Sequence, residues 1–556
     1  MRQNHGHVSF AGSSGVCNHT QVDLEMTSGK GLRLGALSFA SLILYLLLAY
    51  RYPLASSLDN PRATWASMVG STWLNAIYHI LIYIGLFLIY VLILRFLSTS
   101  DPEDKLAKRR QTRLISVTWL VCSSILLFAA PAGESHDVFD YLFRGRMMTE
   151  YQANPLVEVP NDFNLSTPFS RYLAWRKNVD TYGPVWELSS KAIASGVHYV
   201  TDKIGWWDES YPVCPHSPQS CRLLIVYITS YRLLAIVLTG ISGWLIYKIV
   251  DNTHSHLAPM ALAAWLLSPL TLITTAVGGH NDAVMLLFMI LSWWFLQRHR
   301  PILAILALIM GAHVKLTALI WLPTSILWII WRWGWKRALK ICLISLTIGV
   351  VISWLLYKPF GGWGTLPQML SERAKFLANS FWRILYHQLN YRWGWTLENA
   401  RQLSTRLSSL LAAAGAFIVP LWMFNFRPQR WRREETVKIN KEVVLWQTLA
   451  SVSMVTLLIG TFWFQHWYIL WALAPAVLLP NNRLTRSTLP WLAFGALSSN
   501  VVMSFLVETL LKTSPRISKY ISEVVLIWGP VFIVSIIYLL LQWRGKRKSV
   551  MPIQQP

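Results

Sequence analysis

Long apolar stretches separated by short polar ones dominate the chain from residue 32 onward. A helix needs roughly 20 mostly apolar residues to cross the hydrocarbon of a bilayer, so the pattern predicts about fourteen membrane-spanning helices. The predicted fold class is therefore all-α, a polytopic integral membrane protein. The predicted spans are 32–50, 73–97, 113–131, 222–250, 257–277, 282–297, 301–313, 314–331, 338–357, 406–425, 443–461, 465–480, 487–507 and 522–543.

The composition supports this class. Hydrophobic residues make up 54% of the 556 residues and charged residues 14%, whereas about a quarter of the residues in a soluble domain are charged. This hydrophobicity argues against intrinsic disorder and against one soluble core. The net charge of +24 is accounted for by basic loops on the cytoplasmic side of a membrane, so no nucleic-acid partner is expected.

Basic residues alternate with the predicted spans. They concentrate in 98–113, 331–340 and 426–442 and in the C-terminal tail, which share one side if fourteen helices are counted. Cytoplasmic loops are enriched in lysine and arginine, so both termini are predicted to be cytoplasmic, in a cell membrane. The predicted organisation is a cytoplasmic tail at 1–31, N-terminal helices at 32–112, a membrane core at 113–543 and a basic cytoplasmic tail at 544–556.

Two long loops are predicted on the outer side, at 132–221 and 358–405. The second loop carries six basic and two acidic residues, which conflicts with its predicted side. Two explanations are open. The loop contains helices that span the membrane or lie at its interface, or its basic residues form a surface that attracts a phosphate-bearing lipid head group. Cys214 and Cys221 in or beside the first loop either form a disulfide or stay unpaired; with His216 they lack a fourth zinc ligand.

The first outer loop is rich in reactive side chains. It contains His136–Arg146, then Asn154-Pro155, then Tyr182–Glu187, and a polar loop of this length is uncommon unless it is functional. The spacing of Asp137, Asp140 and Arg144 places them on one face of a helix. Residues 186–201 are predicted to form a helix lying on the membrane.

Four more polar clusters fall at predicted outer turns: Gly278–Asp282, Gly311–Lys315, Tyr357–Gly362 and Phe462–Tyr468. Charged groups at membrane depth are costly and usually functional. Together with the first loop, these clusters predict one site that opens away from the cytoplasm.

Each cluster also has a purely structural interpretation. Asp137 is also of a residue type that caps helices. The segment Gly279–Asp282 also suits a turn followed by a helix cap. Lys315 has a stem long enough to reach the membrane interface. The aromatic run 462–468 is also typical of an interfacial belt.

The chemistry of the site favours glycosyl transfer from a membrane-borne donor. No nucleotide-binding motif is present, and an enzyme on the outer face needs an activated sugar carried by lipid, such as a polyprenyl phosphate. The transfer requires a carboxylate that deprotonates the acceptor hydroxyl and cations that hold the leaving phosphate. The predicted catalytic residues are Asp137 and Asp140. The predicted donor-phosphate ligands are Arg144, Arg146, His280, His313, Lys315 and Lys358. The predicted sugar and acceptor ligands are Tyr141, Asn154, Tyr182, Trp186, Asn281, Asp282, His466 and Trp467.

The motifs resemble those of polyprenyl-phosphomannose-dependent α-mannosyltransferases, integral membrane enzymes of the GT-C class. An Asp-Val-x-x-Tyr-x-x-x-Gly segment leads to an Asn-Pro in that family, as His136–Arg146 leads to Asn154-Pro155 here. The family's Tyr-Gly-Pro, His-Asn-Asp and Trp-Tyr-x-x-Trp are similar to segments that follow here in the same order. These segments are Tyr182-Gly183-Pro184, His280-Asn281-Asp282 and Trp467–Trp471.

The resemblance covers about 113–480 and implies a GT-C-like fold with Asp137 as the catalytic base. Helices 32–112 then precede the catalytic core. The expected partners are a polyprenyl-phosphate sugar donor, with mannose favoured, a cell-envelope glycan or lipoglycan acceptor, and membrane lipids. No cofactor is certain, and a divalent cation held by Asp137, Asp140 and Asp282 stays open. The alternatives are a polysaccharide polymerase or ligase that uses lipid-diphosphate glycans, and a lipid or sugar transporter.

Overall fold

The structure is a computed structural model that describes residues 16–58, 72–99, 105–130, 135–167, 169–207, 218–424, 440–509, 511 and 513–549. Within these ranges the elements are helices and no strand is formed, which confirms the predicted all-α class. Cys214, most of the basic segment 426–442 and parts of both terminal tails lie outside the described residues, so both alternatives for Cys214 and Cys221 stay open.

The described helices are numbered here in chain order. They are α1 (Val16–Arg51), α2 (Leu54–Ser57), α3 (Trp73–Thr99), α4 (Lys105–Leu126), α5 (Asp137–Thr149), α6 (Pro184–Lys203), α7 (Pro218–Thr253), α8 (Ala258–Leu266), α9 (Pro269–Leu272), α10 (Asp282–Gln297), α11 (Pro301–Ala312), α12 (Leu322–Trp333), α13 (Trp335–Tyr357), α14 (Leu366–Arg373), α15 (Phe381–Tyr391), α16 (Leu397–Met423), α17 (Lys441–Ile459), α18 (Leu470–Ala476), α19 (Leu489–Thr509) and α20 (Arg516–Ser549).

Many of these helices are suited to a membrane. In the described part of the chain, 8 helical segments are long and apolar enough to span one, or 9 if the bent pair Ser255–Leu266 and Pro269–Val277 counts as one span. This pair bends by 47° beside Pro269, which lacks the N–H that a continuous helix needs. The predicted number of about fourteen spans is therefore not confirmed.

The spans that differ most from the prediction are short or broken. The predicted spans 282–297 and 301–313 correspond to α10 and α11, with 16 and 12 residues, fewer than the roughly 20 that a crossing requires. The predicted span 465–480 consists of a 3₁₀ turn at His466–Ile469 and the seven-residue α18. Irregular backbone at membrane depth is tolerated where it lies inside protein or lines a cavity.

Both predicted outer loops contain helices. The first carries α5 and α6, and α6 at Pro184–Lys203 confirms the helix predicted at 186–201. The second, at 358–405, carries α14, α15 and the start of α16. Helix α16 begins at Leu397, nine residues before the predicted span at 406, so part of this loop is the end of a long helix.

Close packing fixes α5 against the bundle. A Cβ on Gly145 would lie 2.6 Å from the Tyr231 hydroxyl and 2.9 Å from the Ser190 carbonyl oxygen, so glycine permits the contact of α5 with α6 and α7. Arg232 of α7 donates a hydrogen bond of 2.7 Å to the carbonyl of Ala129, which precedes α5. These contacts hold α5 against α6 and α7.

Candidate active site

A cavity of about 310 Å³ lies beside the first turn of α5. Segments 174–182 and 463–468 and the end of α14 complete its wall. Its volume is at the lower end of the range typical of small-ligand sites. Six of the predicted site residues line it: Asp137, Asp140, Tyr141, Arg144, Tyr182 and Trp467.

Asp137 is the first residue of α5, where the helix dipole favours negative charge. The Trp175 indole N–H lies 3.5 Å from its Oδ1, and its own backbone N–H donates to the Ser135 hydroxyl at 3.3 Å. Burial raises the pKa of Asp137 to about 6, although the Lys315 ammonium lowers it in part. A carboxylate with this pKa is ionised at neutral pH and accepts a proton readily.

Asp140 lies one turn further along α5 and is more fully engaged. Its carboxylate accepts hydrogen bonds from the backbone N–H groups of Ala174 and Trp175 at 3.3 and 3.1 Å. Burial raises the pKa of Asp140 to about 7, and Arg144 offsets part of this rise. Asp140 therefore holds the segment that carries Trp175, whereas Asp137 is better placed to accept a proton.

His280 lies behind Asp137 and is not part of the cavity lining. Its Nδ1 is 3.7 Å from Asp137 Oδ2, and its ring stacks on Trp467 with centroids 3.9 Å apart. The imidazole is fully buried, and this burial together with the nearby cations lowers its pKa well below the usual value. The neutral form is therefore favoured despite the carboxylate, so His280 acts as a neutral polar partner rather than a cation.

Asp282 and Lys315 form a buried ion pair next to the cavity. Lys315 Nζ lies 2.5 Å from Asp282 Oδ2, and the Trp471 indole N–H donates to Oδ1 at 2.8 Å. Lys315 also lies 5.0 Å from the centre of the Tyr182 ring. A second cavity of about 100 Å³ is lined by Lys315. Four of its residues also line the larger cavity, namely Thr181, Tyr182, Arg373 and Tyr468.

Arg373 was not singled out from the sequence. It ends α14 in the second loop, lines both cavities and donates to the Tyr468 hydroxyl at 2.6 Å. The excess of basic residues in 358–405 was the signal for it, but that excess did not distinguish Arg373 from the five other cations. Further lining residues that the sequence did not identify are Trp175, Asn178, Asp180, Phe376, Trp463 and Gln465.

Besides His280, three more of the predicted phosphate ligands lie outside the lining of the cavities. The Arg146 guanidinium is buried over the Phe169 ring, 3.9 Å from its centre. Lys358 is exposed and lies over the Trp354 ring. His313 bonds to the Ser353 hydroxyl at 3.0 Å. None of the three lines either cavity, so the structure does not bring them to the site.

Five of the predicted sugar ligands also lie outside the lining of the cavities, including Asp282, which pairs with Lys315. Asn154 donates to the Phe360 carbonyl at 2.8 Å and so joins the two outer loops. Trp186 packs edge-on against Tyr141, with ring centres 4.8 Å apart. Asn281 is fully buried at the start of α10. His466 is buried beside Trp467.

A network of charged groups supports the far wall of the larger cavity. Arg144 Nε lies 3.2 Å from Asp180 Oδ2, and its Nη2 donates to the Asn178 carbonyl at 2.9 Å. Glu187 of α6 is fully buried, and this burial and the Asp180 carboxylate raise the pKa of Glu187 well above its usual range. The protonated form of Glu187 is therefore favoured, and in that form its carboxyl group can donate a hydrogen bond to Asp180.

This protonation gives a direct prediction. Glu187→Gln keeps a hydrogen-bond donor toward Asp180, so we expect activity within a few-fold of wild type. Glu187→Leu leaves Asp180 without that donor and is expected to cost about 1–3 kcal/mol, measured as a lower thermal midpoint together with lower transfer activity. If Gln proved as damaging as Leu, a charged Glu187 would be required instead.

Gly183 in the Tyr-Gly-Pro motif has a steric role. The backbone N–H groups of Gly183 and Val185 donate to the Val314 and His313 carbonyls, both at 3.0 Å. A Cβ on Gly183 would lie 2.1 Å from the His313 carbonyl oxygen. We expect Gly183→Ala to destabilise the fold by about 1–3 kcal/mol, measured by thermal unfolding. Gly196→Ala, where a Cβ meets nothing within 4 Å, is the control and should not lower the midpoint, since alanine favours the helix.

The described residues contain no group of three or more His, Cys, Asp or Glu side chains arranged to hold a metal ion. Asp140 binds backbone N–H groups and Asp282 binds Lys315, so these two carboxylates are engaged within the protein. A divalent cation held by Asp137, Asp140 and Asp282 therefore gains no support from this geometry.

A comparison with known families matches residues 33–332 to the model described as "Alpha-(1->6)-mannopyranosyltransferase, N-terminal domain". The match includes Asp137, His280 and Lys315 and ends before Arg373. It begins within α1, so the matched range also includes helices before residue 113. No curated protein matches the chain. Since the match covers more than half of the 556 residues, the chain belongs to the alpha-(1->6)-mannopyranosyltransferase family, a GT-C-type family of mannosyltransferases.

Proposed function

We propose that this protein transfers a mannosyl residue from a polyprenyl-phosphate donor to a cell-envelope glycan or lipoglycan acceptor on the extracytoplasmic face. The proposal rests on one observation: a carboxylate and two cations lie at adjoining cavities. Asp137, a carboxylate suited to accept a proton, lines the larger cavity. Arg373 lines that cavity and also the smaller one, where Lys315 lies.

The transfer requires one bond to form and one to break. The acceptor hydroxyl oxygen attacks the anomeric carbon of mannose, and the bond from that carbon to the phosphate oxygen breaks with its electron pair leaving on the phosphate. Asp137 takes the hydroxyl proton. The aromatic rings of Trp175 and Trp463 form an edge-on pair in the cavity wall, with centres 5.8 Å apart, and provide apolar surface for the sugar.

The smaller cavity suits the phosphate and the start of the lipid. Lys315 and Arg373 provide two cations there, and charge-assisted hydrogen bonds to phosphate oxygens are the strong kind. Leu316 and Leu370 also line it and are 36% and 53% exposed, so apolar surface lies beside the cations. Leu316 begins the candidate span Leu316–Trp333, where a polyprenyl chain would enter from the bilayer.

The predicted side of the membrane supports a lipid-borne donor. The basic segments 98–113 and 331–340 adjoin the ends of α4 and α13 that lie away from the cavity, and basic loops favour the cytoplasmic side. The cavity then opens on the opposite side, where cytoplasmic nucleotide sugars have no ready access. A polyprenyl-phosphate carrier would bring the activated sugar to this side of the membrane.

The proposal is tested by a radiolabelled-donor assay with the full chain in membranes. We expect transfer from polyprenyl-phosphate mannose and much less from its glucose and arabinose counterparts or from a nucleotide-linked mannose. Transfer from the nucleotide-linked mannose alone would overturn the proposed donor.

Arg373→Gln should raise the KM for the polyprenyl-phosphate donor roughly 10- to 100-fold, because it removes a charge-assisted hydrogen bond. Arg392→Gln is the matched control, since Arg392 is an exposed arginine of the same loop. If Arg373→Gln and Arg392→Gln had the same KM for the donor, Arg373 would not be a phosphate ligand.

A further inference from the structure

A second, strongly basic cleft lies between α4, α7 and α8. Its volume is about 790 Å³, and no acidic side chain lines it among the described residues. Lys108 contacts Asp251 just outside the lining and lies over the Tyr247 ring. The six cations that line the cleft are Lys105, Lys108, Arg109, Arg110, Arg113 and Lys248.

The cleft is separate from the active site. Helix α7 contacts the active-site region through Tyr231 and reaches the cleft at Tyr247. Sixteen residues of α-helix separate these positions, which is about 24 Å at 1.5 Å per residue. The cleft therefore lies about 24 Å along α7 from the contact with the active-site region, toward the C-terminal end of the helix.

The walls of the cleft combine charge with exposed apolar surface. Arg109 and Arg113 are four residues apart on α4 and so lie on one helix face, and both are exposed. Trp244 and Leu106 also line the cleft and are 53% and 52% exposed. Guanidinium pairs match the oxygens of a phosphate, while an exposed tryptophan beside them suits the acyl region at the membrane interface.

We infer that this cleft is a binding site for the phosphodiester head group of an anionic phospholipid in the leaflet opposite the active site. Basic pockets between membrane helices at this depth bind such head groups. Inorganic phosphate shares the charge but has no acyl chains to place against Trp244 and Leu106, so the cleft selects the lipid. This inference does not rest on the proposed donor or acceptor.

The test uses the purified full chain and native mass spectrometry, with cardiolipin as the anionic lipid and phosphatidylcholine as the neutral one. Removing three cations with the variant R109Q/R110Q/R113Q should weaken cardiolipin binding roughly 100-fold. The matched control is K336Q/R337Q/K340Q, which removes three exposed cations from the start of α13. The control should bind cardiolipin as wild type does.

Because a triple substitution near a span can disturb insertion, K105Q/K248Q and Trp244→Ala are measured in parallel and should also weaken binding. If both triple variants lost the same affinity for cardiolipin, binding would depend on the overall positive charge of the protein rather than on this cleft, and the proposed site would be wrong. Phosphatidylcholine binding as tightly as cardiolipin, or pyrophosphate displacing cardiolipin at equal concentration, would overturn the choice of ligand. A wild-type thermal midpoint for each variant confirms that the chain is folded.

Discussion

Asp137→Asn is expected to lower kcat about 100- to 10,000-fold, which is the range that a positioned general base contributes. Asparagine keeps the size of the side chain and its oxygen toward Trp175 but cannot take up a proton. The expected result is loss of mannosyl transfer with normal expression, membrane insertion and thermal midpoint. Asp202→Asn is the control, because Asp202 is an exposed acid of the same polar segment.

The pH dependence of mannosyl transfer distinguishes a carboxylate that acts as a base from one that only stabilises the structure. Burial raises the pKa of Asp137 to about 6, so wild-type activity should fall as the pH drops through 6 and the carboxylate becomes protonated. The residual activity of Asp137→Asn should not fall in this way at low pH. If its activity still fell below pH 6, or if it transferred mannose at the wild-type rate, Asp137 would not be the group that takes up the proton.

Motifs that act through local structure were predictable from the sequence. The spacing of Asp137, Asp140 and Arg144 placed them on one helix face, and α5 brings all three to the cavity wall. The helix predicted at 186–201 is α6. These features depend on neighbours within a few residues, which the sequence displays directly.

Features that depend on contacts between distant segments were not predictable. Arg144 and Arg146 are equivalent in the sequence, yet Arg144 faces the cavity while Arg146 is buried over Phe169. Arg373 reaches the site because α14 ends against the turn that carries Tyr468, 95 residues later. Hydropathy also could not show that 465–480 breaks into a turn and a short helix.

The second large effect concerns the buried pair of Asp282 and Lys315. Removing one partner leaves an uncompensated charge in the interior, so Lys315→Met or Asp282→Asn alone should destabilise the fold by about 3–5 kcal/mol. Thermal unfolding in detergent measures this cost. Arg401→Met breaks an exposed ion pair with Glu398, where water screens the charges, and should leave the midpoint unchanged.

The double variant Asp282→Asn/Lys315→Met distinguishes a structural pair from a pair that also binds the donor. With both charges removed, no ion is left uncompensated, and the amide oxygen of the introduced asparagine would still accept from the Trp471 indole N–H, so most of the lost stability should return. The donor KM should nevertheless stay high, because the phosphate has lost the Lys315 ammonium. If wild-type KM returned together with stability, Lys315 would act on the fold alone and Arg373 would be left as the phosphate ligand of the smaller cavity.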